Sequence, residues 1–206
     1  MGAFVDEGPD GKAGRVLIDG GHLRALVRKK AQRAYDPAFI EKVTHACILP
    51  DEELFRAFYY DCAPYTGTAK LPVSRASHQF TGSSAWLSEL ASKDLFAVRL
   101  GVLKFRGFVL KKPAAPGQPL TDGDFKPDFE QKGVDMRIGL DIATISALGT
   151  VDRIVLITND TDCVPAMKLG RKAGLQIVLM VFPGQRAAPE LVHHSDYHRP
   201  LAGWPA

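Results

Sequence analysis

The chain has 206 residues, a length that suits one domain. Apolar residues make up 46% of it, enough for a packed core, which excludes a globally disordered chain. The formal net charge is only +3, from 26 basic and 23 acidic residues, so any affinity for nucleic acid must come from how charge is distributed.

Cys47, Cys62 and Cys163 are far apart and odd in number. They form neither a zinc spacing nor a disulfide framework, so a reducing compartment is the simplest reading. Residues 1–14 are polar and glycine-rich, unlike a signal peptide, and are expected to be a flexible N-terminal segment ahead of a single domain over 15–199. No stretch approaches the roughly 18 apolar residues of a membrane helix. A cytoplasmic protein without a membrane partner is therefore expected.

Val16, Leu17 and Ile18 form an apolar run closed by Asp19 and two glycines, the pattern of a strand buried on both faces. A basic helix is predicted over residues 22–33, and Asp36-Pro37 opens a second helix reaching about Leu49. Residues 54–62 read as an aromatic-rich strand ended by Pro64, and residues 73–92 as mainly helical. Residues 96–110 are strand-like, with bends at Gly101 and Gly107 and a hairpin arm as one way to use the length. Residues 111–131 hold four prolines and two glycines and read as one long loop. A helix follows over 134–148, ended by Gly149; then a strand over 153–158, a helix over 161–173, a strand over 175–182 and a short helix near 189–194. Strands alternating with helices predict an α/β fold in three α/β/α layers around a mainly parallel sheet.

Asp19 directly follows one buried strand; Asp160 and Asp162 follow another. In open parallel sheets, ligand sites gather beyond the carboxyl ends of strands, where strand order reverses. Asp135, in the first turn of the 134–148 helix, adds a further carboxylate. Acids converging in one cleft repel, and a bound cation relieves the repulsion. An all-oxygen donor set points to a hard ion, Mg²⁺ or Mn²⁺, which assists phosphoryl chemistry by activating water and stabilising developing charge. Taken singly, each acid has a plainer explanation, since Asp162 and Asp135 suit helix N-termini.

Three blocks resemble the NYN family of PIN-like ribonucleases, in particular its LabA-like branch: VLIDGGHL (16–23), QKGVDMRIGLDIATIS (131–146) and RIVLITNDTDCVPAMKLGRKAGLQIVLM (153–180). The resemblance implies a PIN-like, Rossmann-like fold with five parallel strands in the order 3-2-1-4-5. It also implies metal-dependent cleavage of RNA, with Asp19, Asp135, Asp160 and Asp162 as the matching catalytic and metal-holding acids. Asp141 occupies a less regular acidic position. It lies about 240° around the helix from Asp135, so it is expected to act behind the ligands rather than among them. Thr158, Asn159 and His22 are expected in the same supporting role. The family often has Asn at the position of His22 and Ser-Gly at Thr158-Asn159, and Phe is common where Cys163 stands; none of these departures removes an acid.

Lys132, Arg137 and Lys112 are the basic residues expected to meet RNA phosphates. The basic helix 22–33 reads more simply as a solvated face. Tyr59, Tyr60, Phe105 and Phe108 could stack bases but fit core positions better. His193, His194 and His198 lack the acids or thiolates of a metal site. The expected activity is a ribonuclease, with an endonuclease preferred, acting on single-stranded or structured RNA. A non-catalytic RNA- or protein-binding module and a phosphatase for small phosphate esters are the alternatives. Strand 96–110 or the long loop could serve as an interface between copies of the chain.

Overall fold

The computed structural model describes residues 12–206 except 32 and 116. Its centre is a seven-stranded sheet ordered β6-β5-β2-β1-β7-β8-β9. In chain order these strands are β1 (Lys12–Asp19), β2 (Glu52–Cys62), β5 (Phe96–Leu110), β6 (Phe125–Lys132), β7 (Arg153–Ile157), β8 (Gln176–Val181) and β9 (Tyr197–Pro200). A separate hairpin comprises β3 (Thr66–Lys70) and β4 (Ser77–Thr81). All pairings within the large sheet are parallel except β5 with β6. The five central strands follow the expected 3-2-1-4-5 order, flanked by β6 and β9 as edge strands.

Why these runs make central strands follows from the period of two. Val16 and Ile18 enter one core with Val155, Ile157, Val178 and Met180, whereas Leu17 enters the other with Ile154, Leu156, Ile177 and Leu179. Both faces are thus apolar, and both need covering. The first is covered by α1 (Gly20–Leu26), α2 (Pro37–Ala46) and α3 (Ala85–Ala91) through Leu23, Ile40, Val43, Leu87 and Leu90. The second is covered by α4 (Val134–Leu148), α5 (Val164–Lys172) and α6 (Pro189–His193) through Ile138, Ile142, Ile145, Met167 and Leu191. Each such fully buried aliphatic side chain contributes roughly 1.5–3 kcal/mol. Trp204 extends the first core by stacking on Phe182, with centroids 5.1 Å apart.

Local chemistry sets the helix ends. Asp36 caps α2 by accepting from the Phe39 N–H at 2.8 Å, with Pro37 in the first turn. Gly149 closes α4 at φ 59°, a left-handed conformation that glycine adopts without a Cβ penalty. The predicted helix 22–33 begins at Gly20, and its α-helical part ends at Leu26, with a π-helical turn over Val27–Ala31.

Three expectations are corrected. Residues 73–92 are not one helix: β4 lies in their middle, and only α3 is helical. Phe80 on β4 packs against Tyr65, Phe105 and Phe129, and this tertiary aromatic cluster outweighs local helical spacing. Residues 111–131 are not one loop, because β6 pairs along the outer half of β5, from Leu110 with Phe125 to Val102 with Lys132. Pro127 is tolerated because β6 is an edge strand, which can lack one ladder donor. Lys12–Gly14 of the expected flexible segment belong to β1 and pair with Glu52–Leu54; residues 1–11 lie outside the described part.

Candidate metal centre

The acidic residues collect where β1 and β7, neighbours in the sheet, reach their carboxyl ends. This is the reversal point of strand order, since β1 leads outward to β2 on one side while β7 leads to β8 on the other. Asp19 ends β1 and is 8% exposed. Its Oδ1 accepts from the His22 backbone N–H at 3.0 Å, capping α1. Its Oδ2 accepts from the Thr158 hydroxyl at 3.1 Å. The same Thr158 oxygen accepts from the Asp160 N–H at 3.1 Å, so one buried hydroxyl ties the two strand ends together.

Asp160 begins the turn after β7, and its Oδ1 accepts from the Asp162 N–H at 2.9 Å. Asp135 enters from α4, whose first residue follows Gly133 at φ 75°. Single carboxylate oxygens of Asp135, Asp160 and Asp162 lie within 4.8 Å of one another. Asp19, Asp135 and Asp160 line one open cleft of about 570 Å³, together with His22, Asn159 and Gln131. The ion pairs among the described residues include none of the four acids.

Burial, then the charge of Asp160, raises the Asp19 carboxyl above its ordinary range, against the two hydrogen bonds it accepts. Asp135 is raised by desolvation and by the charges of Asp160, Asp19 and Asp162. Carboxylates this close, with Asp19 and Asp135 disfavoured in the charged form and none of the four in an ion pair among the described residues, fit a hard divalent cation. Cys163 is buried, and desolvation and the neighbouring aspartates push its thiol up to about 12, away from the thiolate form.

The supporting residues sort differently. Burial lowers the His22 imidazole to about 4, so it is neutral at physiological pH, with Nε2 3.3 Å from the Gln185 amide nitrogen. Asn159 lines the cleft, and its Oδ1 accepts from the Ala188 N–H at 2.9 Å, which pins the loop before α6. Asp141 is held by the Tyr60 hydroxyl at 2.8 Å and by Arg99 Nε at 3.2 Å, apart from the clustered acids. Among the basic residues, Arg137 donates to the Gly133 carbonyl at 2.8 Å and so braces the start of α4. Lys132 pairs with Glu130. Lys112 lies beyond the far end of the β5–β6 arm and is not brought to the cleft. Tyr59 and Tyr60 are fully buried. His198 bonds the Val192 carbonyl at 3.0 Å rather than joining a ligand cluster.

Sequence reasoning passed over Asp61 and Gln131. Asp61 is the last residue but one of β2, near the same edge of the sheet where Asp19 ends β1, and the strand-end rule applied to YYDC would have found it. It is 2% exposed and accepts from Arg24, the Tyr59 hydroxyl, its neighbour's Cys62 N–H and the Gln131 amide. Gln131 is marked only by its place in the 131–146 block.

A family model described as the NYN domain matches residues 96–202, a span that includes Asp135, Asp160 and Asp162. No curated protein matches the chain. Among solved structures, it is similar to a protein of unknown function, VPA0982, from Vibrio parahaemolyticus RIMD 2210633. The two are 16% identical with a TM-score of 0.54, over 95% of this chain and 96% of that one, a likeness of fold alone.

Proposed function

Since the chain belongs to the NYN domain family, a family of PIN-like nucleases, we propose that it is a divalent-metal-dependent ribonuclease that cuts RNA internally. The observation that carries this reading is the clustering of Asp135, Asp160 and Asp162 within 4.8 Å, with Asp135 and Asp160 lining one cleft with Asp19. Asp19, Asp135, Asp160 and Asp162 are the residues that would hold Mg²⁺ or Mn²⁺. Bound there, such an ion supplies an activated water and neutralises charge on the attacked phosphate and the leaving oxygen.

The protein's own part is positioning. Thr158 fixes the Asp19 carboxylate and the Asp160 backbone through one hydroxyl, which holds acids from two strands in register. The Asp162 N–H orients Asp160 by donating to its Oδ1, and Asp160 lines the cleft. Neutral His22 borders the same cleft and can hydrogen-bond a phosphate oxygen or a water without adding charge. No helix among the described residues is long and apolar enough to cross a membrane. We assign the protein to the cytoplasm on the cysteine pattern.

The test uses end-labelled single-stranded and hairpin RNA with Mn²⁺, Mg²⁺ or EDTA. Metal-dependent cutting by the wild type is expected, with a loss of at least about 100-fold in Asp160→Asn/Asp162→Asn. RNA retained but uncut under every condition would instead favour a binding module. Hydrolysis of small phosphate esters with no action on RNA would favour a phosphatase.

A further inference from the structure

Beside the acidic cleft is a second cavity of about 410 Å³, lined by Arg24, Tyr35, Asp61, Trp86, Leu103 and Gln131 among others. Gln131 lines both cavities, so the two adjoin along its side chain. We propose that this cavity is a subsite for one unpaired nucleobase of the RNA whose backbone lies at the aspartates; the proposal rests on the ribonuclease reading and specifies how its substrate is gripped.

The walls suit a flat aromatic guest. Trp86 and Tyr35 meet edge to face with centroids 6.3 Å apart, and Trp86 is braced from below by the buried Tyr59 ring at 5.8 Å. The Arg24 guanidinium lies 5.6 Å from the centroids of both the Tyr35 and the Trp86 rings. The rings therefore already support one planar cation, and a base is a second planar group of the kind such surfaces hold.

The polar groups are built in rather than incidental. Asp61 is almost wholly buried, and its carboxylate grips both Arg24 and the Gln131 amide, the latter at 3.2 Å. It is a positioning residue: it sets the donors that face the cavity and has no oxygen left over for a ligand. The Arg24 side chain is 43% exposed and lines the cavity, and its guanidinium carries N–H groups beyond the one given to Asp61. Donors in this place select a base edge that presents carbonyl acceptors, as guanine and uracil do and as adenine and cytosine do less well.

The experiment measures binding of GMP, UMP, AMP and CMP in EDTA, by ligand-observed NMR with dissociation constants from titration. The expected result is tighter binding of GMP and UMP than of AMP and CMP. Trp86→Leu should weaken binding about tenfold, and Trp86→Phe should restore most of it. Because a Trp86 change could disturb α3, Gln131→Ala, at an exposed position, is measured beside it and should also weaken binding. Equal binding of all four nucleotides and of ribose 5-phosphate, or binding unchanged in Trp86→Leu and Gln131→Ala, would overturn the subsite. The two readings fail separately. Metal-dependent cutting with no base preference, unchanged in these variants, removes the subsite and leaves the nuclease. Base-selective binding without cutting removes the nuclease and leaves the subsite.

Discussion

At the scale of single residues, the clustered acids oppose folding as much as they prepare for a cation. Burial and neighbouring carboxylates raise Asp19 and Asp135 above the usual carboxylate range. A group raised on folding contributes stability that is present in full below its unfolded pKa and is lost as pH rises through its folded pKa. At neutral pH these two positions therefore disfavour the folded state when no metal is bound. Asp135→Asn is expected to melt higher than the wild type at pH 7 in EDTA, and the gap should narrow as pH falls through the upper carboxylate range. Thermal unfolding at a series of pH values checks this, and a gap that does not change with pH would contradict it. Asp19, Asp160 and Asp162 were legible because each follows an apolar run. Thr158 was legible only as a family position, since its use as a two-way hydroxyl depends on a bond to a residue 139 positions away.

At the scale of elements, the turn from β1 into α1 is the most constrained piece of the site. A Cβ at Gly20 would press on the Tyr59 ring and come within 2.8 Å of the Tyr60 carbonyl oxygen. Backbone cannot yield as a flexible side chain would, so Gly20→Ala is expected to cost about 1–3 kcal/mol. Urea unfolding reads that loss, and RNA cleavage should fall with it, because Asp19 is the adjacent residue. The apolar central strands and helices α4 and α5 were readable from pattern, since their apolar spacing matches what they bury. The β3–β4 hairpin and β6 were not. SHQFT and FKPDFEQK carry few core residues, and they become strands through the Tyr65–Phe80–Phe105–Phe129 cluster and through pairing with β5. Long-range packing of this kind leaves little periodicity to detect.

Across the whole molecule, the acids are a meeting point of separately placed units: the end of β1, the start of α4 and the turn after β7. A cation bound by all of them should therefore stabilise the entire fold by mass action. At 100 times its dissociation constant, Mn²⁺ is expected to add about 2.7 kcal/mol, seen as a rise in melting temperature. Asp160→Asn/Asp162→Asn should show little or none of that rise. A similar rise in both proteins would place the ion elsewhere. The resemblance to known nucleases made the sheet order legible; the edge strands and the neighbouring aromatic cavity needed the assembled chain, because they join segments from distant parts of the sequence.

The placement of β1 beside β7 also bears on when the protein acquires its activity during synthesis. A nascent chain that has passed Asp135 but not reached Thr158 carries Asp19 and Asp135 but neither Asp160 nor Asp162, and it lacks the hydroxyl that orients Asp19. Chains emerge N-terminal end first, and β1 can align with β2 long before β7 exists. On the nuclease reading, the growing polypeptide stays inert toward the message being translated until synthesis has passed Asp162.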